Sequence, residues 1–327
     1  GPSLDAATTA AFRATAAADP SRPRPEPLVE HRVETVPWPL TAYGRLADWF
    51  APLLALVAAA KARRAAVVWH SLGWDDPRGS EMQRELQLRR WQDRHAHDAQ
   101  HLVWVHGASI GETISTLPIV RELVAGGGVR VLLTASTETA LERLRMEQLG
   151  DCVEIRPRPV DTPSVMRRFL ARWKPDGLLL VESELWPCML LETRNAGVPI
   201  ALVNGRLSDR SMARWCAASS ASLRHLLVCV DAILAQSPAM AERLRALRGA
   251  GVPAPAFAGD LKHIPCEGPS AAAVERVRAS LGATRRPLWL AASTHAAEEL
   301  DVLEAHTRLR RTHPGLLLLV APRHPRR

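Results

Sequence analysis

The sequence predicts an α/β protein, with one complete doubly wound, parallel-stranded domain and the start of a second. Three observations lead there. From Leu102 onward short apolar runs alternate with helix-compatible stretches, the signature of parallel strands joined by crossover helices. The apolar runs close on polar residues, where this fold class places its ligand crevice. The same alternation begins again near residue 286.

Taken in order, LVWVH (Leu102 to His106) is the first strand, followed by a Gly- and Ser-bearing turn and a helix from Glu112 to Leu123. Gly126-Gly127-Gly128 stops that helix, and VRVLLTAS (Val129 to Ser136) is the second strand. A helix from Glu138 to Gln148, the strand CVEIRP and a helix from Pro163 to Trp173 come next, then GLLLVES, a helix from Trp186 to Ala196 and PIALVN. A helical stretch from Arg210 to Leu227, the strand VDAILAQS, a helix around Met240 to Leu247 and a turn at GDLKH (Gly259 to His263) complete the domain, 101–265. In 266–327 only PLWLAAS, a helix from Ala296 to Arg311 and GLLLLVAP follow. Two parallel strands and one helix do not cover both faces of a sheet, so this part is expected to be incomplete, with an apolar edge open after Val320.

Ahead of Leu102 the reading is coarser. Residues 1–37 are rich in Ala, Pro, Ser, Thr and Arg and are expected to be a flexible segment, and the charged stretch 65–100 is expected to be a connector. Between them, 38–64 holds LADWFAPLLALVAAA, closed at once by Lys61, Arg63 and Arg64. Its uninterrupted part, Trp49 to Ala60, falls short of the about 20 apolar residues that span a bilayer. It either lies in a membrane interface, with the cations on anionic lipid, or packs as a helix against the protein.

With 47% hydrophobic and 23% charged residues in 327, the composition excludes a disordered chain, a collagen and a disulfide-stapled miniprotein. A formal charge of +8 favours acidic partners without choosing among nucleic acid, nucleotide and anionic lipid. Lys and Arg are dispersed through helices rather than grouped with aromatics, so nucleic acid is not an expected partner. The five cysteines are scattered and form no CxxC pair, which points to thiols in a reducing compartment rather than to disulfides or zinc. There is no GxGxxG after a strand and no GxxxxGK[ST], which argues against dinucleotide redox and Walker-type chemistry. The ligand-type residues His95, His97, Asp98 and His101 sit in polar sequence and read as solvated.

Chemistry-bearing residues cluster at the strand ends. In HGASIGE (His106 to Glu112), Ser109 and Gly111 form a turn, and Glu112 at the helix start is either a cap or a base. ESELWP (Glu182 to Pro187) ends an unbroken apolar strand in carboxylates, and Glu182 is either a functional group or half of an ion pair with a nearby Arg. Arg206 in NGRLS can meet such a carboxylate or a phosphate bidentately. Lys262 in GDLKH, the ASTH segment (Ala292 to His295) and PRH (Pro322 to His324) are the remaining candidates.

In this order, and with PVDTP (Pro159 to Pro163), these motifs resemble the family of 3-deoxy-D-manno-oct-2-ulosonic acid (Kdo) transferases from about Leu102 to His324. The resemblance implies a GT-B glycosyltransferase with an acceptor-side domain at 101–265 and an incomplete nucleotide-sugar domain at 266–327. It implies inverting transfer of Kdo from CMP-Kdo to a lipid A precursor, with no cofactor and no metal. Glu112 is then the general base, Glu182 and Lys262 stabilise the transition state, and Ser109, Gly111, Arg206, Ser293, Thr294, His295, Arg323 and His324 bind substrate. A membrane-associated enzyme follows, on the cytoplasmic face of a bacterial inner membrane or on an organelle membrane. An inactive family member that binds lipid or a protein partner is the alternative. Ala297 stands where the family pattern has Gly, and Cys188 where Asn usually follows ELWP.

Overall fold

The structure, a computed structural model, describes residues 36–48, 101–257, 259–263, 271–281 and 286–323. The expectations for the flexible segment, for the apolar run beyond residue 48 and for the connector 65–100 fall outside these residues. The chain divides into two compact units, Gly1–Pro265 and Cys266–Arg327.

In the first unit a helix over 38–48 (α1) precedes a parallel sheet. The strands are β1 (His101–Gly107), β2 (Val129–Ala135), β3 (Val153–Pro157), β4 (Gly177–Val181), β5 (Ile200–Gly205), β6 (Ala232–Ala235) and β7 (Ala256–Phe257), in the spatial order β3-β2-β1-β4-β5-β6-β7. The crossover helices are α2 (Ile110–Ala125), α3 (Glu138–Arg145), α4 (Pro163–Trp173), α5 (Pro187–Asn195), α6 (Asp209–Val228) and α7 (Pro238–Arg248). The doubly wound domain is thus present. Helix α4 has the limits its sequence suggests: Thr162 caps it through the Val165 amide and Pro163 occupies its first turn. Helix α2 starts two residues earlier than expected because Ser109 is its cap, and α6 breaks at Ser219, where φ is −175°. The two-residue β7 carried too little apolar sequence to be expected as a strand.

Both faces of the sheet are covered, which explains why the strands read as solid apolar runs rather than alternating ones. On one face Trp104, Leu178, Leu180 and Leu202 pack with Met166, Phe169, Trp173, Met189 and Leu190. On the other Val105, Leu133, Leu179, Val181 and Val203 pack with Leu117, Val120, Leu141 and Leu144. Trp104 and Phe169 sit ring to ring at 4.6 Å, a contact that adds to the area they bury. Helix α1 docks on the first of these faces through Leu40, and its Tyr43 hydroxyl donates to Asp161 at 3.1 Å. Asp48 accepts from the Ser164 amide at the start of α4 at 3.1 Å. The same helix leaves Trp38 78% exposed. Among the described residues no helix is long and apolar enough to cross a membrane.

The second unit contains α8 (Ala271–Leu281), the parallel pair β8 (Leu288–Thr294) and β9 (Leu317–Pro322), and α9 (Ala296–Thr312) between them. Helix α8 lies in sequence for which no helix was expected. Leu288, Leu290, Leu300, Leu303 and Val320 are exposed on this unit.

Candidate functional site

Chain order reverses between β1 and β4: β1 leads away to β2 on one side, and β4 leads to β5 on the other. The helices that leave two such strands diverge and open a crevice at the carboxyl ends, the position at which open α/β sheets bind ligands. Glu112 follows one of these strands, and Glu182 and Glu184 follow the other.

Glu112 closes a capping box. Its amide donates to Ser109 Oγ at 3.3 Å, and its Oε2 accepts from the amides of Ala108 at 2.7 Å and Ser109 at 3.3 Å. The cap reading is therefore realised, and among the described residues both bonds to this carboxylate fall on one oxygen. Gly111 lies in the first turn of α2, where an added Cβ would only touch Ser109 Oγ at 4.0 Å. The glycine that the geometry demands is Gly107. A Cβ there would stand 3.1 Å from the Thr113 amide nitrogen and 3.2 Å from Glu112 Cβ.

Glu182 is only 1% exposed, yet it meets two cations. Lys262 Nζ lies 2.6 Å from Oε1, and Arg206 Nη2 lies 2.7 Å from Oε2. A carboxylate taken this far out of water needs partners of opposite charge, and here it has both. Each cation remains about half exposed, so two positive heads around one buried negative charge leave an excess of +1 facing solvent. Glu182 also adopts φ of 62°, and Asn204, beside it on β5, adopts 52°. Left-handed backbone on non-glycine residues is strained and collects at functional sites.

Glu184 points back toward β1. Its Oε2 lies 3.5 Å from His106 Nε2 and accepts from the Trp186 indole. His106 is fully buried; its Nδ1 sits 2.9 Å from Thr134 Oγ1, which in turn accepts from Trp104 Nε1 at 2.9 Å. Burial holds the His106 imidazole below its ordinary pKa, against the pull of Glu184. Burial alone would raise Glu184, but hydrogen bonds from His106 and Trp186 and the charge of Arg158 hold it below the usual carboxylate range. The Arg158 guanidinium stacks on the Trp186 ring, 3.9 Å from its centroid. Asp161, from the PVDTP segment, caps α5 across 28 residues by accepting from Met189 at 2.8 Å, and it also accepts from Cys188 at 3.2 Å. Trp186 supplies no side-chain cap, so this remote carboxylate takes its place, and burial raises its pKa.

Ser109, Gly111, Glu112, Glu182, Arg206 and Lys262 thus gather at the carboxyl edge of the first sheet. Ser293, Thr294, His295 and Arg323 gather at the corresponding edge of the second unit. There Ser293 has φ of 62°, Thr294 Oγ1 donates to Glu299 at 3.0 Å, and the Arg323 amide donates to the Thr294 carbonyl at 2.9 Å. His295 stands at the N-cap position of α9, where its amide donates to Glu298 Oε2 at 2.8 Å, and Ala297 lies inside that helix, where alanine in place of glycine costs nothing. His324 lies outside the described residues. Sequence reasoning did not assign roles to Gly107, His106, Asn204 or Asp161; the carboxyl-edge position of the first three was visible in the sequence, but their contacts were not. Among the described residues no group of three or more His, Cys, Asp and Glu side chains is placed to hold a metal ion.

Residues 85–263 match the family described as 3-deoxy-D-manno-octulosonic-acid transferase (kdotransferase). The chain is 30% identical over 248 residues to a probable mitochondrial 3-deoxy-D-manno-octulosonic acid transferase of Arabidopsis thaliana, covering 72% of this chain and 54% of that one. It is 38% identical over 237 residues to a 3-deoxy-D-manno-octulosonic acid transferase of Bordetella pertussis, covering 69% and 53%, and 31% identical over 229 residues to that of Haemophilus influenzae, covering 69% and 52%. The chain spans about half the length of the curated relatives it matches.

Proposed function

Since the chain belongs to the 3-deoxy-D-manno-octulosonic-acid transferase family, we propose that its strand-end residues serve the transfer of Kdo from CMP-Kdo to a lipid A precursor, with inversion and without a metal. The observation that carries this reading is the pairing of the buried Glu182 with both Lys262 and Arg206 at the crevice between β1 and β4. When the bond from the sugar's anomeric carbon to the phosphate oxygen breaks, its electron pair leaves with CMP and negative charge grows on the phosphate. Cations already oriented by a fixed carboxylate stabilise that charge without first having to reorganise.

Glu112 takes the proton of the acceptor hydroxyl as it attacks. A sugar hydroxyl is a poor nucleophile until a carboxylate within about 3 Å removes its proton. The capping bonds fix Oε2 against the Ala108 and Ser109 amides and thereby orient the other oxygen for that task. Ser109 and Gly111 contact the acceptor side, and Arg206 binds the donor phosphate beside Lys262. Ser293, Thr294, His295, Arg323 and His324 contact the cytidine phosphate, and the left-handed turn at Ser293 with the start of α9 suits an anion there. A lipid acceptor puts the protein at a membrane surface, on the cytoplasmic face in a bacterium or on an organelle membrane, and the exposed Trp38 on α1 suits such a surface.

The test is a transfer assay with CMP-Kdo and a detergent-dispersed lipid A precursor, read by mass spectrometry of the lipid, beside a calorimetric titration with CMP. Kdo-bearing lipid, lost in Glu182→Gln, is the expected result. Retained lipid binding with neither CMP binding nor transfer would overturn the reading and support an inactive binding protein.

A further inference from the structure

Lys262 carries its charge on four rotatable bonds, and freezing such a side chain costs rotamer entropy. An ion pair with Glu182 holds that ammonium only if the backbone beneath it is already fixed. The turn at 259–263 has little to fix it by itself: it is a single 3-10 turn, Leu261–His263, entered through Gly259 at φ of 90°.

The fixing comes from the neighbouring strand ends. Asn204, buried at the end of β5, accepts from the Leu261 amide through Oδ1 at 3.3 Å. Gln236, just beyond β6, donates through Nε2 to Asp260 Oδ2 at 2.6 Å, and its own amide donates to the Gly205 carbonyl at 3.0 Å. Asp260 then accepts from the Lys262 amide through Oδ1 at 3.0 Å. Leu261 packs against the core face that holds Val105 and Val203. Burial works against the Asp260 charge, yet the bonds from the Lys262 amide, Gln236 and Asn204 hold its pKa below the usual carboxylate range. Asn204 is suited to its place because asparagine tolerates left-handed backbone better than other side chains that could accept this bond.

We infer that Asn204, Gln236 and Asp260 are positioning residues, which hold the Lys262 ammonium against the Glu182 carboxylate and thereby at the place where the leaving phosphate develops charge. The inference rests on the transferase reading for its last step only. None of the three needs to touch substrate.

The experiment uses Asn204→Gly, which keeps the left-handed backbone and removes the amide, and Gln236→Leu, which removes the donor to Asp260. Each variant is checked by thermal melting, then assayed for kcat and KM, and Lys262 is labelled with a small amine-acylating reagent, with the exposed Lys174 as internal reference. Glu182→Gln is the positive control for a released Lys262. Both variants should lower kcat about 10- to 100-fold, the usual result of misplacing a catalytic group by an ångström, with KM for the donor within about twofold. Lys262 should react faster relative to Lys174. An unchanged Lys262 rate overturns the inference, whether or not kcat falls. If Asn204→Gly fails to fold, Gln236→Leu decides alone. If the parent protein transfers no Kdo, the transferase reading fails while the labelling still decides whether these residues hold Lys262.

Discussion

In the first unit β4 is buried along its whole length, from Gly177 to Val181, whereas in the second unit β8 is exposed or half-buried from Leu288 to Ala292. Both begin as apolar runs, GLLLV and LWLAA, and both reach a residue with φ of 62° at their carboxyl ends, Glu182 directly after β4 and Ser293 next to last in β8. Local sequence therefore sets the strand and the turn that follows it. Neighbours set the burial. β4 lies between β1 and β5 with helices on both faces, and β8 pairs with β9 alone among the described residues. Chemistry follows burial here: Glu182 meets two cations in a desolvated place, while Ser293 turns in an exposed one.

The sharpest test of this contrast is at the strand ends. Glu112→Ala should cost the transfer rate about 10²- to 10⁴-fold, about 3–5 kcal/mol in the barrier, because no neighbour in its turn can accept the proton. Steady-state kinetics check it, and near-normal turnover would remove Glu112 from the mechanism. In the strands themselves, Leu180→Ala should destabilise by about 2–5 kcal/mol as a cavity opens in a fully buried site. Leu290→Ala, at a residue 58% exposed, should stay within about 0.5 kcal/mol. Urea melts of both variants would break the comparison if the two losses were equal.

Acid should act on the first unit through His106. Its folded pKa lies below the unfolded value of about 6.5, so the native state binds fewer protons, and its contribution is intact above that pH. As pH falls below about 6.5 stability drops by at most about 1.4 kcal/mol per pH unit, until the folded pKa is reached. The charged groups that face the ring are Glu184, which opposes this shift, and Arg158, which adds to it. Melting between pH 5 and 7 should flatten in His106→Gln; an unchanged slope would mean that another group titrates. A change as small as that of Leu290→Ala, but of opposite sign, is expected at Ser293→Gly, a gain of about 0.5 kcal/mol from relieved left-handed strain offset by glycine's added unfolded entropy. A loss of stability there would show that the Ser293 side chain is held by its surroundings.

The order of strands and helices was legible because each crossover unit carries its own punctuation: Thr162-Pro163 opens α4, and three glycines follow α2. Glu182 was legible as a carboxylate at the end of a buried strand, and an Arg partner was one of its two readings; the structure supplies Arg206 and adds Lys262. What could not be read were bonds that join distant segments. Asp161 caps a helix 28 residues away, and Asn204 meets a turn 57 residues away. Neither leaves a local signature, since a cap is recognised in sequence only when it directly precedes its helix. The role of Gly107 was hidden in the same way, because its need comes from the returning start of α2 rather than from a positive φ.

Helix α1 has a consequence in time as well as in space. Its bonds to Asp161 and Ser164 each close a loop of more than a hundred residues, spanning 118 and 116 positions. Loop closure of that length has an entropic cost that only a formed partner surface can repay, so α1 should dock after the sheet has assembled and be the first part to leave when the fold is stressed. The capping carboxylate under α5 then gains its Tyr43 donor last. The start of α5, directly after ESELWP, thus has its full set of contacts only once α1 has met the segment that leads into α4.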